Sequence, residues 1–178
     1  MLFKAAIAIT FAIVLGFAVY LVTYVGFFKP VHVSEATALP AMKLVYLDHM
    51  GAYHKIVASI EAVEKWAKEN NVDCSKSFGE FIDDPDVTEE ARLRSRAGCI
   101  VSDAPANLPK DFKTMEYPAR RYVTATFSGA PSIGPFTVYP AVREKIEELR
   151  LKPNGSVIEQ YEIHGPKEMT TTYFFPVE

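Results

Sequence analysis

The chain has 178 residues, a formal net charge of −3, two cysteines and no block of basic residues. Its charge speaks against nucleic-acid binding, and two cysteines are too few for a disulfide framework. His49 and His54 lack an H-E-x-x-H pattern, and His32 and His164 stand alone, so no metal site and no cofactor is expected.

Residues 1–30 read as a transmembrane anchor. The run Ala5–Phe28 contains no charged residue, and its length corresponds to roughly 36 Å of helix against a hydrocarbon core of about 30 Å. Tyr20, Tyr24, Phe27 and Phe28 gather at its C-terminal end, where aromatic rings suit the interface. The run exceeds a signal-peptide core, although Ala36-Thr37-Ala38 imitates a cleavage site. The lipid bilayer is therefore the expected partner of residues 5–28. Lys4 with the α-amine on one flank, against Lys29 on the other, slightly favours an exported domain.

Residues 31–39 are short, mixed and aperiodic, and read as a linker. Beyond them the chain repeats. Pro40-Ala41-Met42-Lys43-Leu44-Val45 is echoed by Pro118-Ala119-Arg120-Arg121-Tyr122-Val123, and Gly51-Ala52 by Gly129-Ala130, all at an offset of 78 residues. After Gly51, Tyr53, Ile56, Val57, Ile60, Val63 and Ala67 fall at helical spacing; after Gly129, Tyr139, Val142, Ile146 and Leu149 do the same, with Pro140 placed in a first turn. Two short strand-like segments follow each helix: 78–82 and 97–101, then 157–164 and 169–177, the last pair joined by Gly165-Pro166-Lys167. The expected class is α+β: duplicated βαββ units, about 40–103 and 112–178, forming an antiparallel-rich sheet with two helices on one face. A cleft where the halves meet is the expected ligand site.

The order of HMGAY (49–53), FIDDP (81–85), RSRAGCIVSD (94–103) and YFFPV (173–177) resembles the GyrI-like, or SOUL-related, small-molecule-binding superfamily. That resemblance implies an apolar cleft and, among membrane-anchored relatives, a cytosolic domain, opposite to the charge reading. It also implies a glutamate within a Thr-Glu pair before the final Pro-Val, where this chain has Thr171-Thr172. The cleft is thus expected to lack the family's acid; Glu116 and Glu162 are the candidate replacements, set against the favoured reading of each as a solvent-facing strand residue.

The candidate cleft residues are Tyr46, Tyr53, Phe136, Tyr139, Tyr161, Thr172 and Tyr173, with Trp66 a further ring in the duplicated elements. No serine lies in a G-x-S-x-G context and neither cysteine has a base nearby, so no catalytic residue is assigned. Asp83-Asp84-Pro85 reads as a turn. Cys74 and Cys99 fit either one bridge or two buried thiols. The leading expectation is a non-enzymatic, membrane-anchored module holding a small apolar ligand or a protein partner. The alternatives are a small-molecule hydrolase using another cleft carboxylate, and an adaptor that recruits a soluble protein.

Overall fold

A computed structural model describes residues 2–165 and 168–178. Pro166 and Lys167 of the expected turn lie outside them. The N-terminal helix α1 spans Leu2–Tyr24 and is long and apolar enough to cross a membrane, with none of its apolar stretch buried against protein. Nine strands follow among the described residues: β1 (His32–Val33), β2 (Thr37–Leu39), β3 (Met42–Met50), β4 (Ser77–Phe81), β5 (Arg94–Val101), β6 (Lys113–Tyr117), β7 (Arg120–Phe127), β8 (Val157–Gly165) and β9 (Glu168–Pro176). Helix α2 (Val57–Glu69) follows β3 after a 3-10 turn at Tyr53–Ile56, and α3 (Gly134–Glu148) follows β7.

All strands join one antiparallel sheet in the order β1-β7-β9-β8-β4-β5-β3-β6, with β2 also on β7. The duplication is visible in the register. An offset of 78 residues carries the pair Thr37/Tyr122, which joins β2 to β7, onto Met115/Leu44, which joins β6 to β3. Each unit's lead-in strand therefore pairs with the first strand of the other unit. The two halves meet where β4 lies against β8, with Gly79 opposite Glu159.

These crossed lead-ins also curl the sheet. Leu39 is paired with Arg120 on β7, yet Met42, three residues later, lies on β3 opposite Tyr117. Three residues reach at most about 11 Å, so the two ends of the sheet must approach each other. Leu44, Tyr46, Phe78, Tyr122, Ile158 and Phe174 are buried inside the curl. The helices cover the outer face: α2 sets Val63 and Ala67 on Val45, Cys99 and Val101, and α3 sets Val138, Val142 and Ile146 on Val123, Ala125, Phe127 and Tyr173. Each such aliphatic side chain contributes roughly 1.5–3 kcal/mol when fully buried.

Several details depart from the sequence reading. Residues 31–39 are not a free linker but supply β1 and β2 to the sheet. Helix α3 begins at Gly134, so Pro140 lies inside it; Pro140 and Phe136, whose carbonyl loses its partner there, are both exposed, which leaves that oxygen to water. Cys74 and Cys99 form a disulfide with Cα atoms 5.3 Å apart, tying the segment after α2 to β5.

Candidate functional site

The site lies on the helix-covered face, along the row of cross-strand neighbours Tyr173, Glu159, Gly79 and Ala97. Alternation along a strand sends every second side chain to one face, so Glu159 projects outward together with Tyr161, Thr171 and Tyr173. Its neighbours Gly79 and Ala97 are small, which lets side chains from the covering segments pack down beside the carboxyl. Ile56 from the 3-10 turn covers Gly79: a Cβ added there would lie 2.7 Å from Ile56 Cδ1 and 3.3 Å from the Tyr161 hydroxyl.

Glu159 is 5% exposed. The hydroxyl of Tyr139, from α3, donates to Oε1 at 3.0 Å, and that of Tyr161 donates to Oε2 at 3.1 Å. Among the described residues no cation pairs with it. Burial penalises the charged carboxylate and pushes its pKa up to about 7, against the opposing pull of the two hydroxyl donors. Burial and the adjacent negative charge also hold the Tyr139, Tyr161 and Tyr173 hydroxyls above the usual phenol range. The Tyr173 hydroxyl is pressed against Gly134, and among the described residues neither it nor the neighbouring Thr171 hydroxyl makes a well-aligned hydrogen bond. The Tyr139 ring meets Tyr173 and Phe175 edge-on, at centroid distances of 6.2 and 5.0 Å. The arrangement is a buried carboxyl walled by aromatic rings.

A second buried glutamate makes the contrast. Glu80, next to Gly79, points into the curl, where Arg96 Nη1 donates to it at 3.0 Å and the Tyr117 and Ser156 hydroxyls also donate. The Arg96 guanidinium in turn lies 5.5 Å from the centre of the Tyr46 ring. Glu80 is neutralised by Arg96; among the described residues Glu159 has no such partner.

Of the residues singled out in the sequence, Tyr139, Tyr161 and Tyr173 are brought together here. Tyr53 stands beside the row: its ring meets Phe81 edge-on at 4.8 Å, and its hydroxyl donates to the Asp83 carbonyl at 2.6 Å. Phe136 is largely exposed. Tyr46 and Thr172 lie on the concave face, Tyr46 with Arg96 and Thr172 in line with Phe174, so neither reaches Glu159. Trp66 packs against Phe112.

Thr171-Thr172 leaves the place of the family's glutamate without an acid, and neither expected substitute stands on the helix-covered face. Glu116 is exposed on β6, and Glu162 accepts from Gln160 on the concave side; the buried carboxyl on the helix-covered face is that of Glu159 on β8. Counting outward from the 165–167 turn pairs residue 159 with residue 173, and this hairpin arithmetic was the signal available in the sequence. The Asp83-Asp84-Pro85 segment is a turn, with Asp83 held by Arg94 and lowered below the usual carboxylate range by that hydrogen bond.

The duplicated, curled antiparallel sheet with both helices on its outer face defines an α+β domain built from two like halves. A profile of the GyrI-like small molecule binding domain matches residues 34–178, and the chain belongs to that family. Among solved structures, it is similar to the C-terminal domain of EcmrR, at 16% identity and a TM-score of 0.65, with 83% of this chain and 98% of that one covered. It spans 57% of the EcmrR chain seen in a DNA complex. It is also similar to SAV2435 bound to tetraphenylphosphonium, at 14% identity, a TM-score of 0.56 and coverage of 81% and 93%. A third likeness is to a hydrolase from Listeria innocua, at 15% identity, a TM-score of 0.54 and coverage of 81% and 91%. No curated protein sequence matches the chain.

Proposed function

We propose that this protein is a membrane-tethered binding module for a lipophilic cation. The observation that carries the reading is the buried Glu159 carboxyl, which has hydroxyl donors but, among the described residues, no cation, beside a Glu80 that has its own arginine. A buried charge is costly until it is paired, and a hydrophobic cation supplies both the missing charge and surface for the tyrosine walls. The structural likeness to a protein bound to tetraphenylphosphonium supports the same ligand chemistry. Helix α1 serves as the tether. The Cys74–Cys99 disulfide supports a domain in an oxidising compartment, with the N-terminus on the opposite side, the sense favoured by the flanking charges.

The test is a titration of the full chain in detergent micelles with tetraphenylphosphonium. Glu159→Gln keeps the shape and removes the charge, and is expected to weaken binding at least tenfold. Equal affinity in the two proteins defeats the reading.

A second reading, hydrolysis of a small reactive substrate, draws on the same carboxyl. A group titrating near 7 between two phenol hydroxyls is suited to exchanging protons with a substrate. Turnover of activated esters that disappears in Glu159→Gln would favour it. An adaptor role draws only on the likeness of His49-Met50-Gly51, residues 123–127 and Pro140-Ala141 to testis-expressed protein 264, another anchored domain of this kind; it takes precedence if neither cation binding nor turnover depends on Glu159.

A further inference from the structure

The end of α1 is fastened to the domain with no slack. Ala130 N–H donates to the Val25 carbonyl at 2.9 Å, and Lys29 Nζ donates to the Ser128 carbonyl at 2.8 Å. Gly26, at φ +82°, packs so closely on Gly129 that a Cβ would stand 3.0 Å from its Cα. Val25 joins the core beneath α3, and β1 begins only a few residues later. The loop 128–130 therefore sits level with the C-terminal end of α1.

The β8–β9 hairpin lies beside that loop. Phe127 pairs with Thr171, the Ser128 and Thr170 hydroxyls are 3.4 Å apart, and a cavity of about 250 Å³ is lined by Lys29, Ser128, His164, Glu168, Met169 and Thr170. The rim around it is apolar and open: Phe28 is 74% exposed and Ile163 69% exposed. Aromatic and aliphatic side chains flanked by a lysine are the composition found where protein meets the headgroup layer.

We infer that the domain is seated on the bilayer by this rim, with Phe27, Phe28 and Ile163 in the interfacial layer and the Lys29–His164 cavity at the level of the lipid phosphates. The inference rests on α1 spanning the membrane. It places Glu159, four residues along β8 from Ile163, about 13 Å above the interface by the rise of a strand. A lipophilic ligand dissolved in the leaflet is then close to its site. The loop between β4 and β5 lies at the other end of the sheet, because Phe81 pairs with Val157, six residues and about 20 Å along β8 from Ile163.

The experiment uses the full chain in phosphatidylcholine–phosphatidylglycerol vesicles containing lipids brominated along the upper acyl chain. Ile163→Trp and Val87→Trp each place an indole at an exposed position, and native Trp66 gives the background. Ile163→Trp is expected to be quenched at least twofold more than the parent protein, and Val87→Trp no more than the parent. Equal quenching in the two variants, in chains that float with the vesicles, overturns the seating and leaves the anchor intact. Chains that do not float overturn the anchor reading, and the seating with it.

Discussion

Proton-linked binding follows from the placement of Glu159 and can be worked through in magnitude. Its carboxyl moves from 4.5 to about 7 on folding. Below pH 7 the folded protein therefore holds a neutral acid, which offers a cation nothing to pair with. The ionised fraction is about 0.9 at pH 8 and about 0.01 at pH 5, so affinity for a lipophilic cation should fall about 100-fold between them, or about 2.7 kcal/mol. Stability of the unliganded protein runs the other way. A folded-state pKa raised above the unfolded one adds stability that is complete below about pH 4.5 and lost by the time pH has risen through about 7. The loss amounts to about 3 kcal/mol. Glu159→Gln abolishes both slopes, so the difference between wild type and variant isolates this one carboxyl from every other titrating group. Tetraphenylphosphonium titrations and denaturant unfolding of the full chain in micelles, at steps from pH 5 to pH 8, give the two curves. A wild-type affinity that does not change with pH, or a variant that shows the same slopes, refutes the reasoning.

Tyr139→Phe keeps the ring but removes one donor to the carboxylate. With a charge-assisted hydrogen bond worth about 1.5 kcal/mol or more, the pH midpoint of cation binding should rise by about one unit. Cys74→Ser opens the cross-link across 25 residues and should cost about 3.5 kcal/mol by the loop-entropy relation, measured as a lower denaturation midpoint. Reductant should reproduce that loss in wild type and leave the variant unchanged. Gly98→Ala would drive a Cβ to 2.1 Å from the Val45 carbonyl oxygen. Backbone held in the β3–β5 ladder cannot yield as a side chain would, so a loss of about 3 kcal/mol or more is expected in the same assay; a smaller change would show that this strand pair can separate.

The features legible in the sequence are those written in neighbouring residues. An uninterrupted apolar run specifies a helix with no polar face, and α1 is that helix. Periodicity within α2 and α3, and the offset of 78 between the two units, are likewise local or self-referential, and the crossed register of β2 and β6 shows how literally the duplication is built. Both resemblance and pattern led to the same fold, and the family profile covers residues 34–178.

What only the tertiary structure decided depends on which groups from distant segments come to share a face. Glu159 and Glu80 are each an acidic residue in a strand, and nothing local distinguishes them. Strand pairing puts Arg96 beside Glu80 and only tyrosines beside Glu159, because the adjacent positions on β4 and β8 point to opposite faces. The same reason puts Tyr46 and Thr172 on the opposite face, whereas Tyr139 reaches the carboxyl from α3 packed over the sheet. Residues 31–39 looked like a linker because two and three residues of strand carry no period of their own; their structure comes from the edge of β7 that receives them. The disulfide, too, was undecided until folding set two cysteines 25 residues apart in sequence at bonding distance.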